Sequence, residues 1–216
     1  MQLTRVFFML DFQEINNIKD DRFDAAMEIY TESFPPNERH DLERIKERLS
    51  NGNNRLVVGL FRKSVVLMAL TWFLKGTDFI LFDYMAVKRE FRNKGFGTYF
   101  MEHVLETLKI KNKYLVLEVE DPLYGNNRDD RYRRVKFYKR IGAKELKDVK
   151  YILPPLSGPG PTEMILMMMP KYKSGRISGK LVKNLIVRIY KELYARNEDD
   201  TLLNSFIHKI PRYIEL

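Results

Sequence analysis

Arg92-Asn93-Lys94-Gly95-Phe96-Gly97-Thr98 is the stretch whose residue types and spacing are best suited to chemistry. It lies between the apolar run Tyr84-Met85-Ala86-Val87 and an amphipathic stretch beginning at Thr98. A strand, a glycine-bearing turn and a helix, in that order, bring several backbone N–H groups to a helix N-terminus. Those groups have no partner inside the helix and carry partial positive charge, which suits a phosphate. Gly95 and Gly97 remove side chains where a ligand must approach the backbone, and Arg92 and Lys94 add formal charge beside the turn. The spacing matches neither the P-loop pattern G-x-x-x-x-G-K-[ST] nor the dinucleotide pattern G-x-G-x-x-G.

Arg-x-x-Gly-x-Gly closing a strand–turn–helix resembles the acyl-CoA pyrophosphate loop of the GNAT superfamily of N-acetyltransferases. Val87-Lys88-Arg89-Glu90-Phe91-Arg92 has the family's spacing between the strand-ending valine and the loop arginine. Further on, Phe137-Tyr138-Lys139-Arg140-Ile141-Gly142-Ala143 is similar to the family's second recognisable segment, a helix ending at a glycine. The resemblance spans residues 10–170. It implies acetyl-CoA as co-substrate, with the backbone of Asn93, Lys94, Gly95, Phe96, Gly97 and Thr98 on the pyrophosphate and Arg92 alongside. It also implies that the strand Met85-Ala86-Val87 lies against the pantetheine, with one of its N–H groups near the thioester oxygen.

Acyl transfer to an amine requires a positioned donor, a polarised thioester, a neutral amine and a proton for the leaving thiolate. Tyr138 occupies the place in Phe-Tyr-x-Arg-x-Gly where many relatives have a general acid, and an ordinary phenol stays protonated at neutral pH. The same tyrosine could equally be core filler with a bonded hydroxyl. For the base, Asp83, Glu118 and Glu120 could each face a cleft. Strand alternation places Asp83 on the face of Met85 and Val87, which favours it. Some relatives, histone acetyltransferases among them, place a glutamate six residues before the strand-ending residue; Leu81 stands there, so that base does not carry over. Asp83 could instead bind a cationic substrate, or a chain of waters could deprotonate the amine. Phe34 and Glu38, in the break from Phe34 to Arg39, and Glu118 are the candidate acceptor contacts, with the proline- and glycine-rich loop Tyr151–Thr162 as a wall. His40, His103 and His208 have no metal-ligand spacing, so no metal is expected.

The elements that must hold these residues read as follows. Asp11 to Ile18 is an early strand. Asp20 or Asp21 caps a helix with apolar positions Phe23, Ala26, Met27 and Tyr30. Asp41–Leu49 is a second helix, Arg55–Phe61 and Ser64–Phe73 form a hairpin, and Phe79–Val87 is the strand before the loop. Phe100, Met101, Val104, Leu105 and Leu108 make the buried stripe of the loop helix. Tyr114–Val119 suits a central strand, a basic helix follows, and Met164–Met169 is a last strand. Val6 to Leu10 reads as a strand or strand entry, too short for a signal-peptide core. This pattern predicts an α/β fold of the GNAT type, a central mixed sheet with helices on both faces. Its expected domain covers residues 1–170. Residues 171–216 form a C-terminal amphipathic helical extension, with stripe residues Leu181, Val182, Leu185, Ile186, Ile189, Tyr190, Leu193 and Tyr194. Packing on the core, a homodimer interface and a membrane surface are the alternatives for it, in that order.

Composition narrows the function classes. The 216 residues are 44% hydrophobic and 31% charged, contain no cysteine, and carry a formal charge of +9. No apolar run approaches the ~20 residues of a membrane span, and no disulfide, thiolate nucleophile or thiolate metal site can exist, which fits a cytoplasmic protein. The excess charge, dense from Arg128 to Lys150, suits an anionic cofactor, a solvated helix face or nucleic acid. The expected activity is transfer of acetyl from acetyl-CoA to a primary amine of a small molecule or peptide. The alternatives are acetylation of a macromolecule, such as aminoacyl-tRNA or a protein N-terminus or lysine, and a non-catalytic acyl-CoA sensor.

Overall fold

The computed structural model describes residues 10–34, 36–156, 160–170, 172 and 174–216. The strand expected over Val6 to Leu10, apart from its last residue, lies outside them, as do parts of the proline–glycine loop and of the connector after Pro170. One sheet carries the molecule, in the order β1 (Asp11–Ile15), β2 (Asn54–Phe61), β3 (Ser64–Phe73), β4 (Phe79–Val87), β5 (Tyr114–Glu120), β8 (Thr162–Met169) and β6 (Lys144–Glu145). β7 (Tyr151–Leu153) also pairs with β8. Every pairing is antiparallel except β4 with β5.

Helices cover both faces because the central strands are apolar on both sides. On one face, α3 (Phe96–Lys111) and α4 (Arg128–Arg140) share a cluster with Leu67, Ile80, Phe82, Leu115 and Leu117. On the other, α1 (Asp21–Ser33) and α2 (Leu42–Ser50) cover Leu56, Met68 and Leu70. α1 starts at Asp20, whose carboxylate accepts from the N–H of Arg22 at 3.0 Å.

The second face is completed by the end of the chain. β9 (Arg176–Ser178) pairs with β10 (Tyr213–Glu215), and α5 (Gly179–Glu192) and α6 (Thr201–Ile207) lie between them in sequence. Val182, Leu185, Ile186, Ile189 and Tyr190 of α5 form one cluster with Trp72, Leu81 and Val116 of the sheet. Among the described residues no helix is long and apolar enough to cross a membrane.

Two local features shape the middle of the sheet. β4 and β5 pair only from Phe79 to Phe82 against Tyr114 to Leu117, so the strands part beyond that point. On its other side, β4 is bulged: Leu70 pairs with Tyr84 and Thr71 with Phe82, leaving Asp83 as the extra residue. A bulge reverses the parity of a strand. Ile80 and Phe82 therefore share the α3 face with Met85 and Val87, while Leu81, Tyr84 and Ala86 face the other way.

Candidate functional site

The loop after β4 forms one wall of a cavity of about 500 Å³ on the α3 face. Gly95 is the N-cap of α3 with φ 85°, a left-handed conformation that glycine adopts without strain. The first intrahelical bond runs from Tyr99 N–H to Gly95 O at 3.0 Å, so the N–H groups of Gly97 and Thr98 have no partner within the helix. A Cβ added at Gly97 would point into the cavity, 3.6 Å from Phe137 and 3.7 Å from Met85. Met85, Val87, Arg92, Asn93, Gly95, Phe96, Gly97 and Thr98 line this cavity with Phe137 and Arg140. The Arg92 guanidinium also braces the loop, donating to Val87 O and to Ser33 Oγ, each at 3.0 Å. Three expected contacts present less than their full residue. Phe96 is only 3% exposed and packs into the core. Lys94 sets its ammonium 4.8 Å from the Phe91 ring, and the Ala86 methyl turns to the opposite face.

A second, narrower cavity of about 90 Å³ opens on the other face of the sheet, where β4 and β5 part. Phe34, Glu38, Asp83 and Glu118 all line it, joined by Tyr84, Glu120, Arg134 and Tyr194. Phe34 sets its ring against that of Tyr84, with centroids 4.9 Å apart. Tyr84 in turn donates its hydroxyl to Glu38 O at 3.2 Å. Burial, followed by the charge of Glu120, raises the proton affinity of Glu38.

Asp83 is not on the face of Met85 and Val87, as uninterrupted alternation predicts; the bulge turns it toward α2. Its carboxylate lies 3.6 Å from the guanidinium of Arg48, and the two side chains are only 5% and 4% exposed. Burial pushes Asp83 up to about 6, opposed by Arg48. Arg48 also donates to Leu193 O at 2.6 Å and lies over the Trp72 ring. Asp83 is thus half of a buried ion pair.

Glu118 is held differently. Tyr151 donates its hydroxyl to Oε1, and Tyr194 donates to Oε2 at 2.7 Å. Burial pushes Glu118 up to about 7, and the two hydroxyl donors oppose that rise. Both phenols are raised well above their ordinary value by burial and by the glutamate, so both remain donors at neutral pH. Glu120 is neutralised by Arg131 at 3.0 Å and by Arg134. A carboxyl that titrates near neutrality, beside a gap in the sheet, is suited to accepting a proton from an ammonium.

Tyr138 lies in neither cavity lining. It is 8% exposed, packed with Val119 and Ala143, with its ring edge-on to Phe137. Burial pushes its hydroxyl up to about 12, opposed by Arg134, so it is protonated at neutral pH. The sequence pattern does not show Arg48 and Tyr194 as members of this cleft; it places Tyr151 in the wall but does not show it as a partner of Glu118. Arg48 had one legible signal, since it falls three residues after Ile45 on the apolar side of α2. Tyr194 read only as the last residue of an amphipathic stripe.

Comparison with known proteins supplies the remaining observation. The model of the acetyltransferase (GNAT) family matches residues 23–143, more than half of the chain. Among solved structures, a GNAT-family protein of Bacteroides thetaiotaomicron superposes with a TM-score of 0.73 at 25% identity, over 87% of this chain and 99% of that one. The ribosomal-protein-S18-alanine N-acetyltransferase of Escherichia coli superposes at 0.54 with 19% identity, over 75% and 94%. An aminoglycoside 6′-N-acetyltransferase complexed with coenzyme A superposes at 0.56 with 17% identity, over 76% and 99%. The last two establish likeness of fold. No curated protein sequence matches the chain.

Proposed function

The chain belongs to the GNAT acetyltransferase family and is an acyltransferase, and on that premise we propose that it moves acetyl from acetyl-CoA to a primary amine. The observation that carries this reading is the placement of two unlike cavities on opposite faces of the sheet at the parting of β4 and β5. Acetyl-CoA brings the activated thioester. The N–H groups of Gly97 and Thr98 at the start of α3, with Asn93, Lys94, Gly95 and Phe96 beside them, take its pyrophosphate. The edge of β4 from Met85 through Ala86 to Val87 takes the arm that passes through the gap.

The amine enters from the opposite face, past Phe34 and Glu38. Glu118, rather than Asp83, accepts its proton, because Asp83 is committed to Arg48 while Glu118 meets only neutral hydroxyl donors. Nitrogen then bonds to the thioester carbon as the C–S bond breaks. Tyr138, which shares its cluster with Met85 and Val119, gives its proton to the sulfur, and the second proton shed by the nitrogen as the neutral amide forms restores the phenol.

The test is release of free thiol from acetyl-CoA by the purified protein with a panel of primary amines and peptides. Turnover with at least one amine, lost in Glu118→Gln and slowed in Tyr138→Phe, supports the reading. Tight binding of acetyl-CoA without thiol release across the panel would instead establish an acyl-CoA sensor.

One observation favours a macromolecular acceptor as a second reading. Leu123, Tyr124 and Tyr132 are exposed beside Arg128 and Arg133, at the end of β5 and the start of α4. A phosphate-rich acceptor docked there would be acetylated steeply less well between low and moderate salt, whereas turnover of small amines would not change.

A further inference from the structure

Two of the contacts that build the acceptor cleft come from residues 193 and 194, far outside the matched segment 23–143. α5 ends at Glu192, and Leu193 caps it by donating its N–H to Ile189 O at 2.9 Å. The chain then reverses at Ala195, where φ is 53°, and the N–H of Arg196 reaches back to Tyr190 O at 2.9 Å. This turn leaves the Leu193 carbonyl to Arg48 and aims the Tyr194 hydroxyl at Glu118. The element behind it is firmly seated: Leu185, Ile186, Ile189 and Tyr190 are buried, and Trp72 Nε1 donates to Glu192 at 3.3 Å.

The carboxyl of Glu118 has one donor on each oxygen, Tyr151 from β7 and Tyr194 from the end of α5. With Tyr151 alone, the group could rotate about its last bond. With both, its plane is fixed, and lone pairs remain for a proton arriving through the gap. The charged groups facing it are Asp83 of β4 with Arg48 of α2, Glu120 of β5 with Arg131 and Arg134 of α4, and Glu38 before α2. His40 stacks on Tyr194 with ring centroids 6.3 Å apart and is held neutral by burial and by Arg48. Each acidic neighbour except Glu38 carries its own arginine, so the tyrosines are what specifically holds Glu118.

We propose that the C-terminal segment completes the acceptor site, with Tyr194 as a positioning residue that fixes the Glu118 carboxylate for proton transfer. This rests on the reading of Glu118 as the base. Removing the Tyr194 hydroxyl takes a donor from the charged form and so raises the pH at which Glu118 ionises.

The experiment is carbon-13 NMR titration of the full chain labelled at the glutamate carboxyl carbons, with Glu118 assigned by the signal lost in Glu118→Gln. Tyr194→Phe is expected to move the Glu118 midpoint upward by about one pH unit without changing the thermal midpoint at pH 5. The acid limb of kcat/KM for thiol release should move by the same amount. An unchanged Glu118 midpoint in Tyr194→Phe overturns the proposal and leaves Glu118 free to be the base. A moved midpoint with an unmoved acid limb overturns it as well, since the contact would then be structural alone. Full turnover by Glu118→Gln sinks the reading of Glu118 itself, a result separable from both.

Discussion

The cradle at the start of α3 and the cleft beside Glu118 share one gap in the sheet but are made in different ways. The cradle is backbone: the N–H groups of Gly97 and Thr98, a left-handed glycine cap and a glycine where a side chain would intrude, all within residues 92–98. The cleft is side chains from α2, β4, β5, β7 and the turn after α5, joined by a buried ion pair and two tyrosine hydroxyls. A backbone cradle can hold the same donor under many different surfaces. A cleft of side chains depends on segments distant in sequence, and here it includes residues beyond the matched family segment.

The sharpest break in this comparison is Glu118→Gln. Loss of the proposed proton acceptor should lower kcat by about 10²–10⁴-fold, while the rise in thermal midpoint on adding acetyl-CoA stays as in the native protein. An equal loss of both would mean that the two sides are not separate. The same variant tests stability against pH. Folding raises the proton affinity of Glu118 from 4.5 to about 7, so its contribution is full below pH 4.5 and is lost as pH rises through 7. The thermal midpoint of Glu118→Gln should therefore vary less across that window.

Arg48→Met comes next and breaks the cleft through the fold. It leaves Asp83 buried without its partner, which should cost about 3–5 kcal/mol in urea unfolding. Adding Asp83→Asn should recover part of that loss, because the orphaned charge is gone. If the double variant is no better than the single, the cost lies in the lost bond to Leu193 O and the packing on Trp72.

These two variants also mark where sequence reasoning stopped. The elements were legible because their signals are local: Phe23, Ala26, Met27 and Tyr30 at helical spacing, and apolar runs long enough for β2 to β5. The cradle was legible for the same reason, since seven adjacent residues carry it. Alternation alone puts Asp83 on the wrong face, because a bulge is set by pairing with β3 and leaves no mark in an alternating pattern. Tyr151 and Tyr194 were invisible as partners of Glu118 because 33 and 76 residues separate them from it. The short strands β6, β7, β9 and β10 exist only through their pairings with neighbours distant in sequence.

Gly97→Ala tests the other side. The added Cβ would sit at ordinary contact distance from Phe137 and Met85, so the protein without ligand should melt as before. The methyl would occupy the space the backbone leaves for the donor, and affinity for acetyl-CoA should fall about tenfold. Calorimetry measures this directly. Unchanged affinity would mean that the pyrophosphate does not approach Gly97.

The smallest effect is expected at the two left-handed turns that end the comparison. The cradle assigns its turn to Gly95, φ 85°, whereas the turn presenting Tyr194 assigns φ 53° to Ala195. A left-handed alanine costs roughly 1 kcal/mol relative to glycine, part of which glycine returns as extra freedom in the unfolded chain. Ala195→Gly should therefore raise the thermal midpoint by about 1–3 °C. Its effect on turnover separates two roles for the strain. If the rigid alanine serves only to end α5, kcat is unchanged. If that rigidity is what keeps Tyr194 on Glu118, the more stable variant is the slower one, and the acid limb of its kcat/KM profile moves up as in Tyr194→Phe.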